Sequence, residues 1–324
     1  KIPLRGEVYD LTVFREEDEY IDGRRPVAIR RSTPPRDAQR RDFTINGLFW
    51  DFKNEVLVDY VDGLKDLESK VIRCVGKPER RFDEDYLRVL RMIRFSHVLG
   101  FRIDDESYQA GLERAGNLKR ISGERILAEI LKLTDPSSRW AFYADQIFIS
   151  IMKHNDLSLL DIESKLRCFE KTKSIEGLLV VDRIVIELLF LIGLEIDTVK
   201  KIQSRLKIGN DSKNWLLKCL DVKKISDEKS DFVSYCLLID RSPDYLVTIN
   251  YFKAMGILDE NLFDQIVNTH KKFPASLIEA RDILGLVPAR TISKVLMEAR
   301  EWQLRNAIVE RDLVINYIIN KDQT

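Results

Sequence analysis

From Asp66 on, strand signals largely disappear from this 324-residue chain, and helical periodicity takes over near Asp83 and persists almost to the end. Before the switch, apolar residues come in short runs rich in β-branched and aromatic side chains: Val8 to Phe14, Phe43 to Phe52 and Val56 to Val61. Asp51 to Glu55 reads as a turn between the last two runs, and Asp62-Gly63 closes the region. The charged stretch from Glu16 to Arg36 contains Gly23, Pro26, Pro34 and Pro35 and reads as a loop. Beyond Asp66, helix breaks are expected at Gly100, Gly123, Asp135-Pro136, Gly193, Gly209-Asn210, Ser242-Pro243, Gly256 and Pro274. A small α/β start followed by a long all-α body is an α+β fold.

Charge sharpens this picture. Lys+Arg and Asp+Glu number 53 each, so net charge is zero and the whole molecule does not announce a polyanion partner. Locally it does: Gly23 to Arg41 holds arginines at 24, 25, 30, 31, 36, 40 and 41 against the single acid Asp37. That stretch is either a solvated basic loop or an anion site. Four scattered cysteines (74, 168, 219 and 236) and three scattered histidines give neither a zinc spacing nor a disulfide framework. The longest apolar run, Ile184 to Ile192, is too short to span a bilayer, and no signal peptide opens at Lys1. A reducing setting, the cytoplasm or an organelle matrix, is the default, with a cytoplasmic location and no membrane partner expected.

Two clusters carry chemistry. The first, Arg40-Arg41-Asp42-Phe43-Thr44-Ile45-Asn46, joins the arginine-rich stretch to a β run. Read alone, it is equally a phosphate or sugar contact and a clamp in which Arg41 and Asp42 hold the loop to the sheet. The second is Glu84-Asp85-Tyr86-Leu87-Arg88-Val89-Leu90-Arg91. Asp83 is expected to cap a helix in which Asp85, Arg88, Arg91 and Arg94 recur every three residues as a drifting polar stripe. A solvent-facing row of ion pairs has the same spacing, but three guanidiniums behind one acid over-supply it. An acceptor beside donors complements cytosine and adenine, each with an exocyclic amine beside a ring acceptor; uracil and guanine present the reverse pattern. Asp10, amid an apolar run, is either an edge-strand carboxylate facing water or a metal carboxylate for two-metal phosphoryl transfer.

These residues resemble the tRNA nucleotidyltransferases of the bacterial and eukaryotic class, the CCA-adding enzymes, together with bacterial poly(A) polymerase. Arg40 to Asn46 matches the RRDFTIN motif, and Glu84-Asp85-x-x-Arg88 matches EDxxR. Phe14-Arg15, Tyr20, Asp22 to Pro26, Asp59 to Leu67, Val71 to Pro78 and Ile121-Ser122-x-Glu124-Arg125-Ile126 follow the pattern, as do Asp282 to Leu286 and Trp302-Gln303-Leu304 near the end. The resemblance implies a polymerase-β-like head with a partial sheet (1–75), a helical neck reading the base (76–135), a helical body (136–260) and a tRNA-binding tail (261–324). It implies that Asp85 and Arg88 pair with the base of CTP or ATP, and that Glu84 orients Arg88. Arg41 would contact the nucleotide, with Arg40, Asp42 and Asn46 beside it, and Arg91 and Arg94 would support the phosphates. Asp22, Gly23, Arg24 and Arg25 would lie in the loop that helps switch from C to A addition.

The implied reaction adds C and A to tRNA 3′ ends from CTP and ATP, with release of pyrophosphate and with two Mg2+ ions. The acceptor and TΨC half of tRNA is the implied partner. The family's G-G-x-x-R-D and D-x-D segments are absent from this sequence, so the resemblance implies a chain that starts inside the head and leaves its main metal ligands unknown. Gly47-Leu48-Phe49-Trp50 is similar to the adenylate-adding and poly(A) branch. The rival readings are a poly(A) polymerase and a head-deficient, non-catalytic tRNA-binding relative.

Overall fold

The computed structural model describes residues 2–4, 7–9, 12–17, 29–172, 175–176 and 178–321. Strands come as short pairs. β1 (Ile2–Leu4) and β2 (Glu7–Tyr9), β3 (Arg15–Glu17) and β4 (Ile29–Arg31), and β5 (Leu48–Asp51) and β6 (Val56–Asp59) are antiparallel; β7 (Val71–Ile72) and β8 (Arg102–Ile103) are parallel. Two compact units form. One comprises residues 1–163, 191–193 and 200–209, and the other residues 164–190, 194–199 and 210–324.

All the strands belong to the first unit, with helices α1 (Pro34–Gln39), α2 (Gly63–Glu68), α3 (Pro78–Glu84), α4 (Leu87–Leu99), α5 (Asp105–Arg114), α6 (Gly123–Ile130), α7 (Pro136–Ala144) and α8 (Gln146–His154). β5 and β6 form the hairpin expected around the Asp51 turn, whose carboxylate accepts from the Lys53 and Asn54 N–H groups at 2.9 and 3.2 Å. The stretch read as a loop is in part ordered: β4 pairs with β3, and α1 starts on Pro34 and Pro35. Proline suits the first helical turn because its missing N–H has no acceptor there, so this pair starts a helix where punctuation was expected. Val8 to Phe14 is likewise not one strand, since β2 ends at Tyr9 and residues 12–14 are irregular.

Phe43, Val71, Ile72, Phe82, Val89, Leu90, Met92 and Ile93 are buried and form the seam on which α4 lies. An isolated antiparallel bridge joins Phe43 to Cys74; Val75 N–H donates to the Asp42 carbonyl (3.1 Å) and Thr44 N–H to the Arg73 carbonyl (3.0 Å). This bridge fixes residues 42–44 against the β7 strand end. A single 3-10 turn, Thr44–Asn46, follows, and Thr44 Oγ1 donates to Asp66 of α2 at 2.7 Å. Gly63 permits the packing: a Cβ there would lie 2.3 Å from the Thr44 carbonyl oxygen.

Helices also begin or end at the expected breaks. Gly100 closes α4 in the left-handed region (φ 66°), its N–H donating to the Ser96 carbonyl, and Asp135 caps α7 through Ser138 N–H at 2.7 Å. The other helices are α9 (Ile162–Phe169), α10 (Val180–Ile192), α11 (Ile196–Leu206), α12 (Asn210–Asp227), α13 (Phe232–Arg241), α14 (Asp244–Ala254), α15 (Glu260–Lys272), α16 (Ile292–Asn306) and α17 (Arg311–Lys321). Within the second unit, Phe190 of α10 packs on Tyr251 and Phe252 of α14, with ring centroids 5.5 and 5.3 Å apart. A smaller core of Ile278, Ile283, Val287, Ala299, Val314 and Ile318 joins α16 to α17. Among the described residues, no helix is long and apolar enough to cross a membrane.

Candidate nucleotide-binding site

The two sequence clusters meet in one cleft of about 520 Å³ in the first unit. Its lining comprises Arg40, Arg41, Asp42 and Asn46 from the first cluster, Asp85, Leu87, Arg88, Arg91 and Phe95 from the second, and Arg125 from α6. The lining itself carries five guanidiniums against two carboxylates, an excess of donors suited to an anion.

The arginines are held before any ligand arrives. Buried Asp37 on α1 accepts from Arg40 Nε and Nη2 at 2.9 and 2.7 Å, and from Arg41 Nε and Nη2 at 3.2 and 3.1 Å. Burial alone would raise the Asp37 pKa, but the Arg40 and Arg15 N–H groups and Arg41 hold it below the ordinary carboxylate value. Arg41 Nη1 also donates to the Asn46 carbonyl at 2.9 Å, and its guanidinium lies 4.9 Å from the Phe49 ring centroid. Thus the single acid of the arginine-rich stretch is the post to which both cluster arginines are tied.

Asp42 bridges the clusters. It accepts from Arg91 Nε at 2.8 Å, from Asn46 Nδ2 at 3.0 Å and from Phe43 N–H at 2.9 Å. Burial would raise its pKa; Arg91 first, then Asn46 and the Phe43 N–H, bring it below the ordinary value. Arg91 gains in return, since Asp42 and Glu129 outweigh the burial that would lower its own pKa.

The second cluster departs from the single helix expected to start at Asp83. That residue lies inside α3, paired with Arg114 Nε at 2.9 Å, and the chain breaks between α3 and α4. Asp85 sits in the break with extended backbone (φ −151°, ψ 105°), where its Oδ1 accepts from Leu87 N–H at 3.1 Å and its Oδ2 from Arg125 Nη2 at 2.8 Å. An aspartate that can bond a backbone N–H two residues on competes with the helix, so the run opens there although its periodicity continues. Glu84 Oε2 accepts from Arg88 Nη1 and Arg81 Nη1, each at 2.7 Å. Arg88 also donates to the Arg81 and Arg40 carbonyls at 3.0 and 3.2 Å. These bonds leave part of its five-donor fork for a ligand.

The stripe does not keep all its arginines together. At roughly 100° per residue, Arg88, Arg91 and Phe95 fall within about 60° of one another, whereas Arg94 lies about 120° from Arg88. Arg94 accordingly is buried away from the cleft lining, donates from Nε to Glu129 at 2.8 Å and stacks on Phe95 at 4.0 Å. Burial lowers its pKa, and the neighbouring Glu129 offsets that only in part.

Three lining residues were not singled out as site residues from sequence: Leu87, Phe95 and Arg125. The last lay within the matched Ser122-x-Glu124-Arg125 segment, but forty residues of separation from Asp85 hid the pairing. Asp10, Asp22, Gly23, Arg24 and Arg25 lie outside the described residues. Among the described residues, no three His, Cys, Asp or Glu side chains converge to hold a metal ion. The cleft offers guanidiniums and arginine-paired carboxylates, a donor set that does not fit a magnesium pair.

The family profile described as the poly A polymerase head domain matches residues 1–73. A CCA-adding enzyme of Lactobacillus helveticus is 31% identical over 313 residues, covering 91% of this chain and 74% of that protein. The structure of the Bacillus stearothermophilus CCA-adding enzyme in complex with CTP superposes with a TM-score of 0.68 at 17% identity, covering 98% of this chain and 80% of that one. The Thermotoga maritima CCA-adding enzyme complexed with tRNA-CCA gives 0.65 at 21% identity, covering 90% and 74%. At these identities the solved structures establish a shared fold.

Proposed function

Because the chain belongs to the family of the CCA-adding enzymes, we propose that it extends tRNA 3′ ends with C and A from CTP and ATP, releasing pyrophosphate. The observation that carries the reading is that Asp85, an acceptor, and Arg88, a donor, both line one arginine-rich cleft. In this reading Asp85 accepts from the exocyclic amine of cytosine or adenine, and Arg88 donates to the neighbouring ring nitrogen. UTP and GTP would oppose a carbonyl to Asp85 and an N–H to Arg88, leaving unpaired groups at a partly buried site. No nucleic-acid template is needed, because these side chains supply the pairing edge.

Arg40 and Arg41, tied back by Asp37, face the triphosphate with positions set in advance, which lowers the ordering cost of binding. Asp42 and Asn46 fix Arg91 beside them, and Arg94 supports that wall from behind through Glu129. The primer 3′-hydroxyl attacks the α-phosphorus and pyrophosphate leaves. Magnesium is the family's ordinary requirement; among the described residues no three His, Cys, Asp or Glu side chains converge to hold it. The division into head (1–75), neck (76–135), body (136–260) and tail (261–324), with tRNA held through the last two and the protein acting in the cytoplasm, is part of the same proposal.

The test uses the purified protein with tRNA ending at the discriminator base, at C and at CC, and sequences the 3′ ends formed. Completion of each to CCA supports the proposal. Addition of A only to the CC end indicates an A-adding enzyme, and long adenosine runs on unstructured RNA indicate a poly(A) polymerase; either overturns it. Binding of tRNA with no addition indicates the non-catalytic relative.

A further inference from the structure

We propose that Arg125 of α6 is a specificity-determining positioning residue that sets the angle at which Asp85 meets the base. The inference rests on the base-reading role of Asp85 proposed above. Asp85 lies in a helix break, so neither α3 nor α4 fixes its side chain by regular packing. Two contacts fix it instead: Leu87 N–H on Oδ1 and Arg125 Nη2 on Oδ2. The backbone contact is local and moves with the break. Arg125 stands on a separate helix whose Ile126, Leu127 and Ile130 are buried, so it gives Asp85 an external reference.

The arginine is not seated for its own sake. Its Nη1 is buried without a hydrogen-bond partner, which is unfavourable for such a group. Arg300, a structural arginine of the second unit, shows the contrast: its Nε and Nη2 both reach Asp240, while Nη1 and Nη2 also reach the Ala275 and Phe273 carbonyls. Arg125 keeps one bond to Asp85 and leaves Nη1 unbonded. A carboxylate has lone pairs enough to accept from Arg125 and from a base amine at once, so the two contacts are compatible. One turn on, Glu129 of the same helix grips Arg94, which ties α6 to α4 and keeps the reference in register with Arg88.

Equilibrium binding of CTP, ATP, UTP and GTP to the wild type, Arg125→Gln and Arg125→Lys tests this, with circular dichroism as a check on folding. The glutamine variant is expected to lose about tenfold or more of the preference for CTP and ATP over UTP and GTP. Lysine keeps the charge without the planar fork and is expected to lose preference while retaining overall affinity. Unchanged preference in a folded variant, or equal weakening for all four nucleotides, would overturn the inference. Should the glutamine variant not fold, the lysine variant decides on the same criterion. A wild type with no preference would instead overturn the function proposed above.

Discussion

Asp42 shows how one residue can join two clusters forty positions apart. It is buried, and its charge is tolerated because Arg91, Asn46 and the Phe43 N–H surround it. Replacing Arg91 with Met leaves that carboxylate buried with less compensation, and a loss of about 3 kcal/mol is expected in urea unfolding at pH 7. The pH dependence follows from the sign of the shift. The folded-state pKa lies below the ordinary 3.8, so the stabilisation is whole above that value and is lost as pH falls through the lower, folded-state value. Unfolding measured from pH 5 to pH 2 should show a shallower acid loss in Arg91→Met than in the wild type. The residue types of this site were legible in the sequence, because arginines beside few acids have little other use. Their partners were not: Asp37 on Arg40 and Arg41, and Arg125 on Asp85, are set by packing between elements that spacing does not reveal.

At the scale of elements, the cleft depends on two interruptions: the 3-10 turn at Thr44–Asn46 and the break between α3 and α4. The turn is held by close approach of α2 at Gly63. Gly63→Ala would place a Cβ 2.3 Å from the Thr44 carbonyl oxygen, and is expected to cost about 1–3 kcal/mol and to weaken binding of every nucleoside triphosphate together. Gly100→Ala acts elsewhere: it strains the left-handed C-terminal cap of α4 by about 1 kcal/mol and should leave nucleotide binding intact. Thermal unfolding with and without CTP separates the two. Helix ends were readable from glycine, proline and aspartate because those residues act through local backbone chemistry. The α3–α4 break was not readable, because the apolar spacing runs through it unaltered and only the Asp85 side chain opens it. The short helix α1 was missed for the converse reason, its two prolines reading as punctuation although both fit a first turn.

The whole molecule is electrically neutral, so its attraction for a polyanion is local. Binding to tRNA is therefore expected to weaken steeply with salt, whereas the ratio of affinities for CTP over UTP should stay constant, since it arises from hydrogen-bond matching; filter binding from 50 to 200 mM salt checks both. A chemical signature of the fold accompanies this. Burial pushes Cys74, Cys219 and Cys236 up to about 12, while Cys168 is only partly buried, so native-state thiol titration at pH 8 should detect Cys168 first. The fold class was legible as a change of periodicity along the chain, and the family from two motifs in fixed order. The division into two compact units was not, because residues 191–193 and 200–209 return to the first unit after the chain has entered the second. The central claim is that Asp85 and Arg88 choose the base. Its most direct test is the preference for CTP and ATP over UTP and GTP in the wild type, Asp85→Ala and Arg88→Ala, measured by equilibrium binding: a clear preference in the wild type that collapses in both variants is expected, and a variant that keeps the wild-type preference would contradict the account.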